Sequence, residues 1–404
     1  MKKLIVRSAV ATTLLLTAGS AMAAGFGLYE ASARGVGMGN GLVGSTKDAS
    51  ANYHNPANLT EMTNISVMVG MTLINPFADC KVNGQQQAKM NAGWFPPPHF
   101  YFAAPITKDL VFGFGTYCEF GLGTKYDTNW ALKHDTTETT IEQFTFNPNI
   151  AYKITEDWSV AFGARVSYLT FETYKAQPIP AGPYGLLYGN THIKGDSLNC
   201  GFMFASQYKV TDKLSLGAVY RSRIRHQVEG DFDLNSQVAN VNGDAKAKVI
   251  LPSSATLGAN YDFTKRFRGG VSLIWTEWST IDHIDFNLPT GVKPLDLKWD
   301  DAWRVGFGFE YDFTDAFSGR IGYTYDLDPA HKNYGTTMLP PGDRHIIGFG
   351  CGYKFFDNWT INLGYNFIIM ESETREMSTE LGPYKFQSDN GYSHIVSASV
   401  SYSF

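Results

Sequence analysis

Four glycines at alternate positions, Gly35, Gly37, Gly39 and Gly41, are the first residues of this chain to suggest chemistry. A Gly-x-Gly-x-x-Gly turn between a strand and a helix holds a pyrophosphate on its backbone N–H groups. Here no strand pattern precedes the glycines and no βαβ unit follows. Gly39 and Gly44 have phosphate-loop spacing, but Ser45 stands where a lysine must reach the phosphates. Such glycines suit an irregular backbone turning tightly in a confined space. Asp231-x-Asp233-x-Asn235 opens like a calcium loop, yet Ser236 replaces the turn glycine and Asn242 the bidentate glutamate. That leaves nonspecific cation contact with an acidic loop. The nine histidines form no His-Glu-x-x-His pair, and there is no Gly-x-Ser-x-Gly elbow. Cys80, Cys118, Cys200 and Cys351 lie far apart, without metal-ligand spacing, and read as small apolar side chains. No metal, cofactor or enzymatic activity is expected.

Composition and period define the elements that hold these residues. Charged residues make up 18% of the 404, against about 25% in a typical soluble protein, while aromatics reach 14% and glycine numbers 40. That balance fits repeated strands with a large, partly apolar exterior. Lys2, Lys3 and Arg7, the apolar stretch from Ala9 to Ala18, and Ala21-Met22-Ala23 have the build of a signal peptide, residues 1–23, cleaved before Ala24. No later run of about 20 apolar residues could span a bilayer as a helix. Export excludes a cytosolic enzyme. Losing three basic residues makes a chain of net charge −5 more acidic still, which disfavours nucleic-acid binding.

Beyond residue 64 apolar residues alternate with small or polar ones. Trp158, Val160, Phe162, Ala164, Val166 and Tyr168 form one face, and Ser159, Ala161, Gly163, Arg165 and Ser167 the other. A membrane-crossing strand has this period of two, lipid and lumen taking turns. Tight polar turns recur at 107–109, 155–157, 211–213, 264–266, 314–316 and 356–358. Longer connections fall near 76–98, 126–140, 173–196, 233–245, 287–297, 329–342 and 372–390. Six short turns alternating with seven long ones predict an all-β, 14-stranded antiparallel transmembrane barrel over 65–404. Val396, Ala398, Val400, Tyr402 and a terminal Phe404 complete an amphipathic last strand. Residues 24–64, glycine-rich and without a strand pattern, would fit the lumen as a hatch.

Within that frame three features stand out. The connection Gln177–Asn190 carries Ile179, Tyr184, Leu186, Leu187 and Tyr188 on the outside, either to bind an apolar partner or to cap neighbouring loops. The third strand contains Gly113, Gly115, Gly121 and Gly123, which mark a kink opening the wall or simple curvature. By parity Arg165, Lys298, Arg304 and Arg320 face the lumen, as do Arg221, Arg223 and Arg225.

The mature start Ala24-Gly25-Phe26-Gly27-Leu28-Tyr29-Glu30 resembles that of the FadL/TodX family of outer-membrane transporters, and Asn55-Pro56-Ala57 matches its hatch motif. Asn147 to Lys153, Trp275 to Ser279, Pro340 to Arg344 and Gly382 to Phe386 extend the resemblance in order along the chain. It implies passive uptake of hydrophobic compounds, foremost long-chain fatty acids. An external groove around Leu186 would capture them, a lumen pocket would hold them, and the wall would release them laterally. Phe26 would sense the pocket, Asn55, Pro56 and Ala57 would brace the hatch, and Gly113 to Gly123 would frame the opening. Fatty-acid members place basic side chains near the carboxylate, a role open here to Arg165, Lys298 and Arg320, unless these pair with lumen acids. Aromatic-hydrocarbon uptake in the same family is the alternative, followed by a general porin and, more remotely, a lipid hydrolase or adhesin. The expected partners are hydrophobic small molecules and outer-membrane lipid, around a monomer in the bacterial outer membrane.

Overall fold

The computed structural model describes residues 25–404 apart from 92, 239, 332, 335 and 380, so the signal peptide reading lies outside the described residues. The wall strands are β1 Ser66–Val82, β2 Pro98–Pro105, β3 Leu110–Tyr117 continued by Gly121–Lys125, and β4 Glu138–Lys153. They continue as β5 Trp158–Pro180, β6 Leu186–Lys209, β7 Leu214–Arg221 with Ile224–Asn235, and β8 Asn240–Leu251 with Ser254–Asp262. The last six are β9 Phe267–Thr276, β10 Ala302–Asp312, β11 Phe317–Asp326, β12 Arg344–Phe355, β13 Trp359–Met370 and β14 Gly382–Ser403. Each runs antiparallel to its neighbours, and β14 returns to β1 with Ser403 opposite Ser66, closing a 14-stranded ring as expected.

The short turns share one device. Thr107, Thr155, Thr211, Thr264 and Thr314 each accept, through Oγ1, hydrogen bonds from the backbone N–H groups two and three residues on. Such a local bond replaces ladder bonds where the chain reverses. The sixth turn uses Phe356 and Asp357, both at positive φ (50° and 55°), in the short loop between the paired Phe355 and Trp359.

The long connections differ from the expected loops because most are continued strand. β5 and β6, of 23 and 24 residues, pair as far as Pro180 opposite Leu186. About 9–11 residues cross a membrane, so more than half of this hairpin projects beyond it. The alternation that marks a wall strand persists through the projection, leaving no loop signature.

Side-chain facing follows parity except where the ladder breaks. In β7 Val219 points inward, but beyond the interruption at Ser222 and Arg223 the inward residues are Ser222, Ile224 and His226. One unpaired residue flips every side chain after it. Arg225 is therefore exposed, against expectation. Lys298 is a second correction: it sits outside any strand at φ 45°, exposed, its Nζ 3.4 Å from Asp282.

Residues 25–64 lie inside the ring as two short helices, α1 Ala33–Gly37 and α2 Ala51–His54, followed by a 3₁₀ turn, Pro56–Glu61. Ser32 caps α1 by accepting from Gly35 N at 3.0 Å and contacts His54 Nε2 at 2.8 Å, tying the two helices together. The hatch glycines meet wall glycines. A Cβ on Gly270, Gly306, Gly308 or Gly322 would overlap the backbone of Met38, Gly39 or Gly41, and one on Gly348 would lie 2.6 Å from Val36 O. Backbone rests on backbone, which only residues without Cβ allow.

A candidate gate and binding site at the break in the third strand

β3 is paired on both sides at Gly113 (with Ala103 and Asn149) and Gly115 (with Tyr101 and Asn147). The wall is continuous there, so these two glycines do not frame an opening. They face the hatch, where a Cβ on Gly113 would collide with Asn52 Oδ1. The interruption falls later, at Cys118–Phe120, and the segment holding Gly121 and Gly123 pairs with β4 but not with β2. On that vacated edge lies the start of the hatch. Leu28 N donates to Glu119 O at 2.7 Å, and Gly121 N donates to Phe26 O at 2.8 Å. Residues 26–28 thus add a short strand that β2 leaves out.

Phe26 is 4% exposed and packs edge-on against Trp278 at 5.0 Å and Phe120 at 5.8 Å, with Trp299 at 5.8 Å. These rings end a larger apolar cluster that rises along the inner faces of the β5–β8 extensions through Leu169, Ile193, Val228 and Phe232. Ile179 packs on this cluster, whereas Leu186 and Tyr188 are exposed and Leu187 is half-buried opposite Ile179. Lys133 Nζ lies 4.5 Å above the Tyr188 ring. Tyr184 ends a one-turn 3₁₀ helix at the hairpin tip. The sequence-selected apolar residues therefore divide between capping and exposure.

The buried basic residues are engaged with acids. Arg165 donates to Glu119 at 2.6 and 3.2 Å and to Ser222 O at 2.7 Å. Arg221 Nε stands 3.2 Å from the other oxygen of Glu119, and its Nη2 donates to Tyr53 O. Glu310 takes Arg34 of the hatch at 3.0 and 3.1 Å together with Arg320 and Arg268. Arg304 donates to Asp326 at 2.9 Å. Arg344, 1% exposed, differs: among the described residues its nitrogens have no hydrogen-bond partner, and Asp326 is 3.9 Å away. Of the three basic residues selected from sequence, Arg165 borders the break, Arg320 anchors the hatch, and Lys298 is outside.

Asn55, Pro56 and Ala57 form the lower joint of the hatch. Asn55 Oδ1 accepts from Ala57 N at 3.1 Å, while Nδ2 donates to Val43 O at 2.8 Å and to Ser206 O of β6 at 3.0 Å. Pro56 starts the turn, where its missing N–H costs nothing. Sequence reasoning missed Glu119 and the pairing of Arg221 with it. An acid at the break of a neutral, glycine-rich strand was the available signal. A cavity of about 50 Å³ lies beside these groups, lined by Leu28, Tyr53, Glu119, Phe120, Arg165 and Arg221 among others. Among the described residues no group of histidines, cysteines and acids could hold a metal.

Known proteins share this fold and much of the sequence's length. Residues 14–404 match the family of outer membrane protein transport proteins (OMPP1/FadL/TodX), and the chain belongs to it. It is 24% identical to a long-chain fatty acid transport protein of Escherichia coli O6:H1 over 85% of this chain and 86% of that one. It is also 24% identical to outer membrane protein P1 of Haemophilus influenzae, over 84% of each. The structure of a Pseudomonas aeruginosa FadL homologue superposes with a TM-score of 0.88 at 19% identity, covering 94% of this chain and all of that one (100%). The Pseudomonas putida toluene transporter TodX gives 0.72 at 20% identity, covering 94% and 99%. At such identities the two structures speak for the fold alone. The protein is an outer-membrane β-barrel transporter of hydrophobic compounds.

Proposed function

We propose that this barrel takes up long-chain fatty acids and releases them sideways into the membrane through the break in β3. The observation that carries the reading is the strand-like seating of residues 26–28 on the edge that β2 leaves unpaired. Backbone facing lipid must be paired, and here the cover is the segment that leads into the hatch, not a neighbouring wall strand. The aromatic cluster around Phe26 supplies an apolar path from the external extensions to that point. Each methylene transferred from water gains about 0.8 kcal/mol, so diffusion down a gradient needs no nucleotide. The cavity of about 50 Å³ is well below the roughly 300 Å³ of a ligand site, so a fatty acid enters as Phe26 and Leu28 withdraw.

A carboxylate substrate is favoured because two arginines, Arg165 and Arg221, share the single acid Glu119 at the cavity. The four-ring cluster of Phe26, Phe120, Trp278 and Trp299 favours the second reading, aromatic hydrocarbons. In this reading residues 1–23 are the leader, 24–64 the hatch and 65–404 the barrel, working as a monomer among outer-membrane lipids. Leu186 and Tyr188 offer the external apolar contact.

The test is a reversible lock. Gly27 and Phe120 face each other in an antiparallel bridge whose flanking bonds make it the close-spaced kind, about 4.5 Å between Cα atoms, within disulfide range. In a background with the native cysteines replaced by alanine, Gly27→Cys with Phe120→Cys should abolish oleate uptake when oxidised and restore it on reduction. Undiminished uptake by the oxidised protein would exclude this exit.

A further inference from the structure

The wall has a second irregularity, between β6 and β7, beyond β4 and β5 from the broken strand. Its last rung joins Phe202 to Ser222: Ser222 N donates to Phe202 O at 2.9 Å, and Phe202 N donates to Ser222 Oγ at 2.9 Å. Pairing resumes at Asp196 opposite Glu229. In between, β7 leans inward across β6 toward β5. Ser222 O accepts from Arg165 at 2.7 Å, His226 Nε2 lies 3.1 Å from Ser167 Oγ, and a Cβ on Gly201 would meet Ser222 and Ile224. The step leaves the edge of β6 uncovered on the outside. Leu198 is 51% exposed, Cys200 is exposed, and so is Asn199, which parity turns inward. The main-chain groups of Phe202 face β7. By the period of two those of Cys200 and Leu198 do as well, with no rung to meet them.

That edge lies at the outer rim of the lipid-facing surface, where the wall passes into the external extensions. Toward the short turns from it, Phe202, Phe204 and Tyr220 are exposed rings. On the recessed part of β7 and on β8 the outward residues beside it are Arg225, Gln227 and Lys248. Arg225 pairs with Ile250 and Gln227 with Lys248, so the two cations are diagonal neighbours about 7–8 Å apart. Both are exposed, and neither has an ion pair or hydrogen bond among the described residues. At comparable distances from the short turns several other strands turn acids outward: Glu142 on β4, Glu172 on β5 and Glu371 after β13. Lys81 of β1 is taken by Asp389. The step therefore carries two unopposed cations where other parts of the ring carry acids.

We propose that this step binds the phosphorylated sugar headgroup of an outer-leaflet glycolipid, lipid A, and so fixes one lipid on the outside of the barrel. Each part of the edge answers one part of that molecule. Arg225 and Lys248 take a phosphate through charge-assisted bonds, which are stronger than those between neutral groups. Phosphate oxygens also accept from the N–H groups that β7 leaves unpaired, and sugar hydroxyls donate to the C=O groups. Hydrocarbon could do neither, and an open strand edge against hydrocarbon is costly. The acyl chains then descend over Leu198, Phe202 and Tyr220, which are exposed in that order toward the short turns. A phosphate without a sugar meets the cations and leaves the carbonyls unanswered. The site lies on the outer surface, whereas the apolar path for cargo follows the inner faces of β5–β8, so it adds a ligand that is not cargo.

The experiment adds lipid A, dephosphorylated lipid A or phosphatidic acid to the full-length, delipidated protein in detergent. Affinity is read by native mass spectrometry, and hydrogen exchange is followed at the Leu198 and Cys200 amides. Lipid A should slow exchange at both amides and bind more tightly than either comparator. Arg225→Gln combined with Lys248→Gln, two exposed changes, should weaken lipid A binding about thirtyfold and leave the dephosphorylated lipid unaffected. Lys213→Gln combined with Lys265→Gln, in the short turns at the other end of the barrel, should leave lipid A binding unchanged. Equal affinity for lipid A with and without its phosphates would overturn the proposal on the wild type alone, as would Leu198 and Cys200 amides that lipid A does not protect. Full retention of lipid A binding by the Arg225 and Lys248 double variant would overturn it as well. Phosphatidic acid binding as tightly as lipid A would show that phosphate alone is read and would overturn the glycolipid assignment.

Discussion

Replacing Phe26 by alanine should loosen the cover over the broken strand without weakening the barrel. Two backbone hydrogen bonds, at about 1 kcal/mol each, and the burial of one phenylalanine ring, about 1.5–3 kcal/mol, hold residues 26–28 in place. Their sum of about 4 kcal/mol leaves roughly one molecule in a thousand open. Losing the ring removes about 2–3 kcal/mol, which raises the open fraction roughly 30- to 150-fold. Hydrogen exchange in detergent micelles reads this directly, because the Leu28 and Gly121 amides are the donors of the two closing bonds. Both should exchange roughly 30- to 150-fold faster in Phe26→Ala. Amides in the continuous part of β3 and β4 should keep their wild-type rates. Unchanged exchange at Leu28 and Gly121 would refute the view that Phe26 holds the latch. Equal acceleration throughout the wall would show that the ring supports the whole barrel instead.

Two further outcomes follow from the hatch. Gly322→Leu puts a side chain where the Gly39 backbone lies. The ring cannot yield there, so the hatch should shift at a cost of about 1–3 kcal/mol, and planar-bilayer conductance should rise above wild type while the barrel still folds. Burial pushes His54 down to about 3, with Arg221, Arg34 and His99 adding to the shift and Asp48 opposing it, so it is neutral near pH 7. Its native pKa lies below the ordinary 6.5, so the docked hatch binds fewer protons than the released one. Docking is therefore strongest above about pH 6.5 and weakens as pH falls toward 3, by at most about 1.4 kcal/mol per unit. Protease sensitivity of the hatch should rise between pH 7.5 and pH 4.5, and His54→Gln should flatten that dependence.

Much of the fold is legible in the residues alone. Thr107, Thr155, Thr211, Thr264 and Thr314 mark the short turns because a threonine hydroxyl can replace the ladder bonds a reversing chain loses. Faces alternate between those turns because lipid and lumen select opposite side chains on a period of two. The same logic fails at Arg225, since one unpaired residue near Ser222 inverts the pattern and leaves no mark in composition. It fails again at the long connections, where continued alternation hides the passage from wall to external extension.

The site was less legible, because its parts come from distant stretches. Glycine spacing in β3 signals an irregular strand, but only the pairing of Gly113 and Gly115 on both sides moves the break to Cys118–Phe120. Arg165 and Arg320 are identifiable as lumen residues by parity; that Glu119 and Glu310 already hold them depends on neighbouring strands and on Arg34 of the hatch. What the sequence by itself determined is local: strand period, turn chemistry, the even strand count, and a glycine-rich segment fit for a lumen. What only the tertiary structure decided is which edge β2 leaves unpaired, which backbone covers it, and which acid answers each arginine. Those are contacts between residues up to hundreds of positions apart, and no local pattern records them.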